Sequence, residues 1–202
     1  MELAVLSRSF FPPTLAHAWI ARELAAQYAN VLVRPRGWYA PDEFGSMHAW
    51  QRKEIVRLAF EGIDDARIAF DFSDLNRSFM PPAELHARLL ASGISPIIVV
   101  GSGYVLNGEC GSSDIQGKWK DGKRLWNEAR FRVVTRQDEC RPEDLPPRHD
   151  GPVLVCPLDA SSTSVREAYA DGNVEEAERQ LQPQVAAYIA RHGPFRQIEP
   201  SI

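Results

Sequence analysis

The run Ser-Pro-Ile-Ile-Val-Val at Ser95–Val100 most constrains what this chain can fold into. A continuous β-branched stretch has no polar side to offer water, so it suits an inner strand of a parallel sheet covered on both faces. Parallel strands need crossover helices between them, and the apolar pattern supplies these. Strand-like runs fall at Glu2–Leu6, Val31–Arg34, Arg67–Asp71, Ser95–Val100, Phe131–Thr135 and Pro152–Cys156. Helical patterns fall at Leu15–Tyr28, Met47–Phe60, Pro82–Ala91, Ser164–Tyr169 and Pro183–Arg191. Proline in the first turn at Pro82, and Gly193-Pro194 after the last helix, are ordinary start and stop signals. The alternation predicts an α/β chain with a mostly parallel sheet flanked by helices. Pro35–Ser46 and Gly101–Gly122 read as irregular segments; whether the second is an ordered pocket wall or a lid stays open, and its glycines suit a mobile loop that closes on substrate. Pro142–Pro152 is the best linker candidate, although its length also suits a surface loop. One domain over residues 1–202 is therefore expected.

Composition narrows the function classes. The 202 residues carry 23 Lys+Arg against 27 Asp+Glu, a formal charge of −4, with 44% apolar and 25% charged residues. Tracking a nucleic-acid backbone needs a basic face, so no nucleic-acid partner is expected, whereas a small anionic ligand needs only a local basic pocket. No apolar run reaches the roughly 20 residues of a membrane span. Met-Glu-Leu-Ala-Val-Leu at the start lacks the basic and apolar stretches of a signal peptide. Cys110, Cys140 and Cys156 are odd in number and lack metal-ligand spacing, which suits reduced thiols in the cytoplasm. No metal-ligand residues are assigned.

Ligands of open parallel sheets bind beyond the carboxyl ends of the strands, where strand order reverses. The loops after Leu6, Arg34, Val100 and Cys156 are thus the places for chemistry. The first, Ser7-Arg8-Ser9-Phe10-Phe11-Pro12-Pro13-Thr14-Leu15-Ala16-His17, runs straight into a helix. Thr14 and His17 lie three apart at the helix start, on one face near its positive end. Backbone N–H groups there favour phosphate, and a histidine can hydrogen-bond a phosphoryl oxygen. In Asp159-Ala160-Ser161-Ser162-Thr163-Ser164-Val165-Arg166, Ser162 and Thr163 are expected to cap the next helix, with Arg166 free for a bidentate contact.

Phe10, Pro12, Thr14 and His17 match the G-x-F-x-P, one residue, His or Thr, two residues, His signature. The loop thus resembles that of the nucleotidyltransferases that include the nicotinate and nicotinamide mononucleotide adenylyltransferases. Asp159–Arg166 resembles the family's I-S-S-T-x-I-R. Gln51-Arg52-Lys53-Glu54, Ile97–Gly101, Trp119 with Leu125 and Phe131–Arg136, and Val185–Ile189 with His192-Gly193 resemble further family segments in the same order, from Leu3 to Phe195. The resemblance implies a Rossmann-like nucleotidyltransferase fold with a small C-terminal helical part at about 160–195.

It also implies transfer of AMP from ATP to a pyridine mononucleotide, with pyrophosphate release, in NAD biosynthesis. His17, Thr14 and Arg166 would be the catalytic residues. Ser9, Phe10, Ser162 and Thr163 would bind ATP, with Mg²⁺ on phosphate oxygens and water. Trp119, Gly101 and Arg52 would bind the mononucleotide, Trp119 by stacking on the pyridine ring. Arg34, Arg36 and His48 are further basic candidates. Whether the acceptor base is an acid or an amide stays open, as does a homo-oligomer.

The chain departs from the family at several places. Ser7 and Arg8 stand where two small residues are usual, Phe11 replaces Asp or Asn, and Ala16 replaces Gly. Gly103 stands where an Asp commonly orients the nucleoside, and Asp114 or Glu109 could replace it only if the following loop folds back. These departures keep two alternatives in view: a same-fold nucleotidyltransferase with another acceptor, and a non-catalytic nucleotide-binding homologue.

Overall fold

A computed structural model describes residues 1–39, 47–63, 65–136 and 140–193. Six strands form one sheet in the order β3-β2-β1-β4-β5-β6. They are β1 (Glu2–Arg8), β2 (Val31–Pro35), β3 (Ile68–Phe70), β4 (Ser95–Gly101), β5 (Arg130–Thr135) and β6 (Leu154–Val155). Every pairing is parallel. The helices are α1 (Leu15–Gln27), α2 (Ala49–Phe60), α3 (Pro82–Ala91), α4 (Asp114–Lys118), α5 (Gly122–Glu128), α6 (Ser162–Ala170), α7 (Val174–Arg179) and α8 (Pro183–His192). No helix among the described residues is long and apolar enough to cross a membrane.

The central strands are buried as their composition requires: Ala4, Val5, Leu6, Ile97, Val99 and Val100 of β1 and β4 are each at most 2% exposed. On one face β1, β2 and β4 pack with α1, α2, α6 and α8 through Leu24, Ile55, Val165 and Ile189. On the other, β4 and β5 cover Val105, Ile115, Leu125 and Trp126. The sheet is thus apolar on both faces, which is why its strands do not alternate with polar residues.

Several expectations need correction. Gly101–Gly122 is not irregular: it holds 3₁₀ turns at Ser102–Tyr104 and Gly108–Cys110, then α4. Gly122 opens α5 where an added Cβ would lie 1.7 Å from the Ile115 carbonyl oxygen, so only glycine lets these short helices approach. The strand expected at Pro152–Cys156 shrinks to Leu154–Val155. Pro142–Pro152 is no linker, because buried Asp144 accepts the Asn107 N–H at 2.8 Å and His149 bridges to Phe131. Residues 40–46 of the expected Pro35–Ser46 loop, and Pro194 and Phe195, lie outside the described residues.

Candidate active site

Strand order reverses between β1 and β4. Their pairing runs from Glu2↔Ser95 to Val5↔Ile98 and stops there, although both strands continue for three more residues. The strands therefore part beyond Val5 and Ile98, opening a crevice between Ser7–Arg8 and Val99–Gly101. The crevice leads into a cavity of about 370 Å³. Its far wall is α3, through Pro82, Leu85, His86 and Leu89; its rim carries Tyr39, Phe79, Tyr104 and Trp119. The described residues lining it include Arg8, Arg36, Lys118 and Lys120 but no carboxylate. One wall is fixed by the buried Arg34, whose Nε lies 2.9 Å from Asp71 and whose Nη2 pairs with Asp74. This pins the strap from Asp71 to Met80. Trp38 pairs beside Ser78, and a Cβ on Gly37 would strike the Arg77 carbonyl oxygen at 2.1 Å.

Beside the crevice the β1–α1 loop brings a second group together. Phe10 is 1% exposed, takes a left-handed φ of 48°, and stacks edge-on against His17 at 5.1 Å. A non-glycine residue in that region stores backbone strain, roughly 1–3 kcal/mol, which the surrounding packing must hold. Thr14 is the N-cap of α1 and His17 its third residue. The Thr14 N–H donates to His17 Nδ1 at 3.0 Å, and Thr14 Oγ1 lies 2.9 Å from the same nitrogen. A nitrogen that accepts a backbone N–H carries no proton, so the neutral ring holds its proton on Nε2. Burial, then the charges of Arg8 and Arg136, lower the His17 pKa to about 3. Protonating Nδ1 would also set one donor against another. His17 is therefore a neutral Nε2–H donor at pH 7.

The start of α6 is bolted to this loop. Ser162 Oγ donates to the Pro12 carbonyl at 2.7 Å, and Arg166 Nη1 donates to the Phe11 carbonyl at 2.6 Å and to the Ser162 carbonyl at 3.0 Å. Arg166 also lies over the Phe11 ring at 5.6 Å. The expected cap moves by one residue: Ser161 caps α6, accepting the Ser164 N–H at 3.0 Å, while Ser162 and Thr163 are its first helical residues. Their N–H groups have no acceptor within the helix.

Arg52, expected at the mononucleotide, is 2% exposed and donates through Nη2 to the Ser9 carbonyl at 3.1 Å and the Arg36 carbonyl at 2.8 Å. It braces the loops behind the cavity. Arg34 is likewise structural, and His48 is the exposed N-cap of α2. Ser9 and Trp119 line the cavity, and Gly101 stands at its mouth, where a Cβ would meet Arg8 Nη2 at an ordinary 3.6 Å. Trp119 packs edge-on to Tyr104 at 5.5 Å. Neither Asp114 nor Glu109 folds back to replace the missing Asp: they pair with Lys118 at 2.8 Å and Arg141 at 3.3 Å.

Sequence reasoning missed Gln180. Its backbone carbonyl accepts the Leu15 N–H at 2.9 Å, and its Oε1 accepts the Ser161 N–H at 3.2 Å and the Ser164 hydroxyl at 2.6 Å. One buried residue thus holds the starts of α1 and α6 together. Arg136 was also missed as a site residue; its field reaches His17, and it is only 3.8 Å from the fully exposed Asp159. No group of three or more His, Cys, Asp or Glu side chains among the described residues could hold a metal ion.

No family model and no curated protein sequence matches the chain. Solved structures do. Plasmodium falciparum nicotinic acid mononucleotide adenylyltransferase in complex with NaAD is 16% identical, with a TM-score of 0.76 over 96% of this chain and 97% of that one. The same enzyme in complex with APC is 17% identical, with a TM-score of 0.73 over 96% of each chain. A Vibrio parahaemolyticus structure provisionally assigned as a nicotinate-nucleotide adenylyltransferase is 16% identical, with a TM-score of 0.59 over 97% and 96%. With six parallel strands in the order β3-β2-β1-β4-β5-β6 and helices on both faces, this chain has the Rossmann-like fold of those adenylyltransferases.

Proposed function

We propose that the protein is a pyridine mononucleotide adenylyltransferase, joining the mononucleotide to the AMP portion of ATP and releasing pyrophosphate in NAD biosynthesis. The observation that carries this reading is one loop shared by two groups. Its first residues, Ser7 to Ser9, line the carboxylate-free cavity with its aromatic rim, and its continuation carries a neutral His17 and is hydrogen-bonded to the start of α6. The near-full-length likeness to the Plasmodium enzyme supports it.

On this reading the acceptor phosphate oxygen attacks the α-phosphorus of ATP, and the bond from that phosphorus to the bridging oxygen of pyrophosphate breaks. The nucleophile is already an anion, so positioning and charge stabilisation do the catalysis. His17 donates its Nε2–H to an oxygen of the α-phosphate. Thr14 acts through His17 by fixing the tautomer rather than by holding phosphate itself. The N–H groups of Ser162 and Thr163 face the phosphate chain, while Arg166 and Ser162 Oγ set the loop from Ser9 to Pro12 against them. Mg²⁺ bound to ATP would be held by phosphate oxygens and water rather than by protein carboxylates, and would neutralise phosphate charge. Trp119 stacks on the pyridine ring. The cationic lining of the cavity ranks the acid, nicotinate mononucleotide, above the amide. Three free cysteines suit a cytoplasmic enzyme.

Chromatography tests this directly. The protein is supplied with ATP, Mg²⁺ and either nicotinate or nicotinamide mononucleotide, and dinucleotide is expected from both, faster with the acid. Folded protein that binds ATP but makes dinucleotide from neither acceptor would refute the reading.

A further inference from the structure

Arg8 is the last residue of β1, at the point where β1 and β4 separate. Its guanidinium crosses the mouth of the crevice, lies over the Tyr104 ring at 5.6 Å and lines the cavity. A Cβ on Gly101 would lie 3.6 Å from its Nη2. Arg8 is half-buried, and the other half-buried arginines have acceptors: Arg36 binds the Gly37 carbonyl, Arg130 binds Glu2 and Asp150, and Arg166 binds the Phe11 carbonyl. The fully buried Arg34, Arg52 and Arg132 are likewise paired. Arg8 has no carboxylate or carbonyl partner among the described residues, in a cavity whose described lining has no carboxylate. A guanidinium partly withdrawn from water without an acceptor carries a cost that is recovered when an anion enters.

Its position selects the anion. Arg8 and Ser9 line the cavity, the same loop runs on to His17 at the start of α1, and the Arg8 charge reaches that ring. A mononucleotide with its base against Trp119 and Tyr104 would present its phosphate toward the crevice mouth, facing the α-phosphate beside His17. Resting on the function proposed above, we infer that Arg8 binds the phosphate of the acceptor mononucleotide in a two-pronged contact, holding the attacking oxygen in line. The planar fork of arginine suits phosphate in a way a lysine cannot copy.

The test crosses a change in the ligand with a change in the protein. Calorimetry measures nicotinate mononucleotide and nicotinate riboside, which lacks the phosphate, on wild-type protein, Arg8→Gln and Arg8→Lys. Arg8→Gln is expected to weaken the mononucleotide by about 10- to 100-fold and leave the riboside within about twofold, with Arg8→Lys between. In turnover, KM for the mononucleotide rises while KM for ATP holds. Equal losses for both ligands would make Arg8 a structural support of the rim and overturn the inference, as would no loss or a rise confined to KM for ATP. Wild-type protein that binds the mononucleotide through Arg8 yet makes no dinucleotide would sink the proposed activity and leave Arg8 assigned. Active protein indifferent to Arg8→Gln would do the reverse. Wild-type protein that binds neither compound overturns both.

Discussion

The protonation state of His17 can be worked through to numbers. With an ordinary pKa near 6.5, about 97% of the ring would be protonated at pH 5, whereas a pKa of about 3 leaves about 1%. Burial, the Arg8 and Arg136 charges and the Thr14 N–H aimed at Nδ1 all oppose the cation. The unfolded chain takes up a proton near pH 6.5 that the folded chain refuses until about pH 3. This contribution to stability is therefore complete above pH 6.5 and is lost as pH falls toward 3. It amounts to about 2 kcal/mol between pH 7.5 and 5. Turnover is a poor probe, because a phosphate monoester acceptor itself titrates near pH 6. Imidazole NMR is direct, with the His17 signal assigned by its loss in His17→Gln. We expect no titration of that ring between pH 7.5 and 5, and a stability difference between wild type and His17→Gln that shifts by about 2 kcal/mol over the range. A His17 midpoint near 6.5 in folded protein would refute the neutral-donor argument.

Two further predictions concern the scaffold. Asp74→Ala leaves the buried Arg34 guanidinium paired with Asp71 alone and should cost about 1–3 kcal/mol, lowering Tm by roughly 5 °C in a calorimetric scan. Gly122→Ala drives a Cβ into the Ile115 carbonyl and should destabilise the fold by more than about 2 kcal/mol in urea, whereas Gly101→Ala, with only ordinary contact to Arg8, should be nearly neutral.

The parts of the fold legible in the sequence are those where one local signal dominates. Ser95–Val100 could be nothing but a buried strand, and α3 spans Pro82–Ala91 as its first-turn proline suggests. The short helices α5 and α7 carried no such signal. Lys123, Arg124 and Glu128 make α5 look like charged loop, and its place depends on Gly122 meeting Ile115 across the chain.

The site divides in the same way. The pairing of Thr14 with His17 is a three-residue spacing on one helix start and could be read directly. The work done by Arg166, Arg52 and Gln180 could not, because each reaches elements distant in sequence and binds a backbone group there. Arg8 was legible as an oddity in its loop. Only the parting of β1 from β4 shows that it faces the cavity.

The most direct test of the central claim is the rate of dinucleotide formation from ATP and nicotinate mononucleotide by wild type and His17→Ala, both saturated and shown to be folded. Loss of one donor aimed at developing charge predicts a fall in kcat of about 10²–10³ with little change in KM for the mononucleotide. An unchanged kcat in His17→Ala would contradict the account.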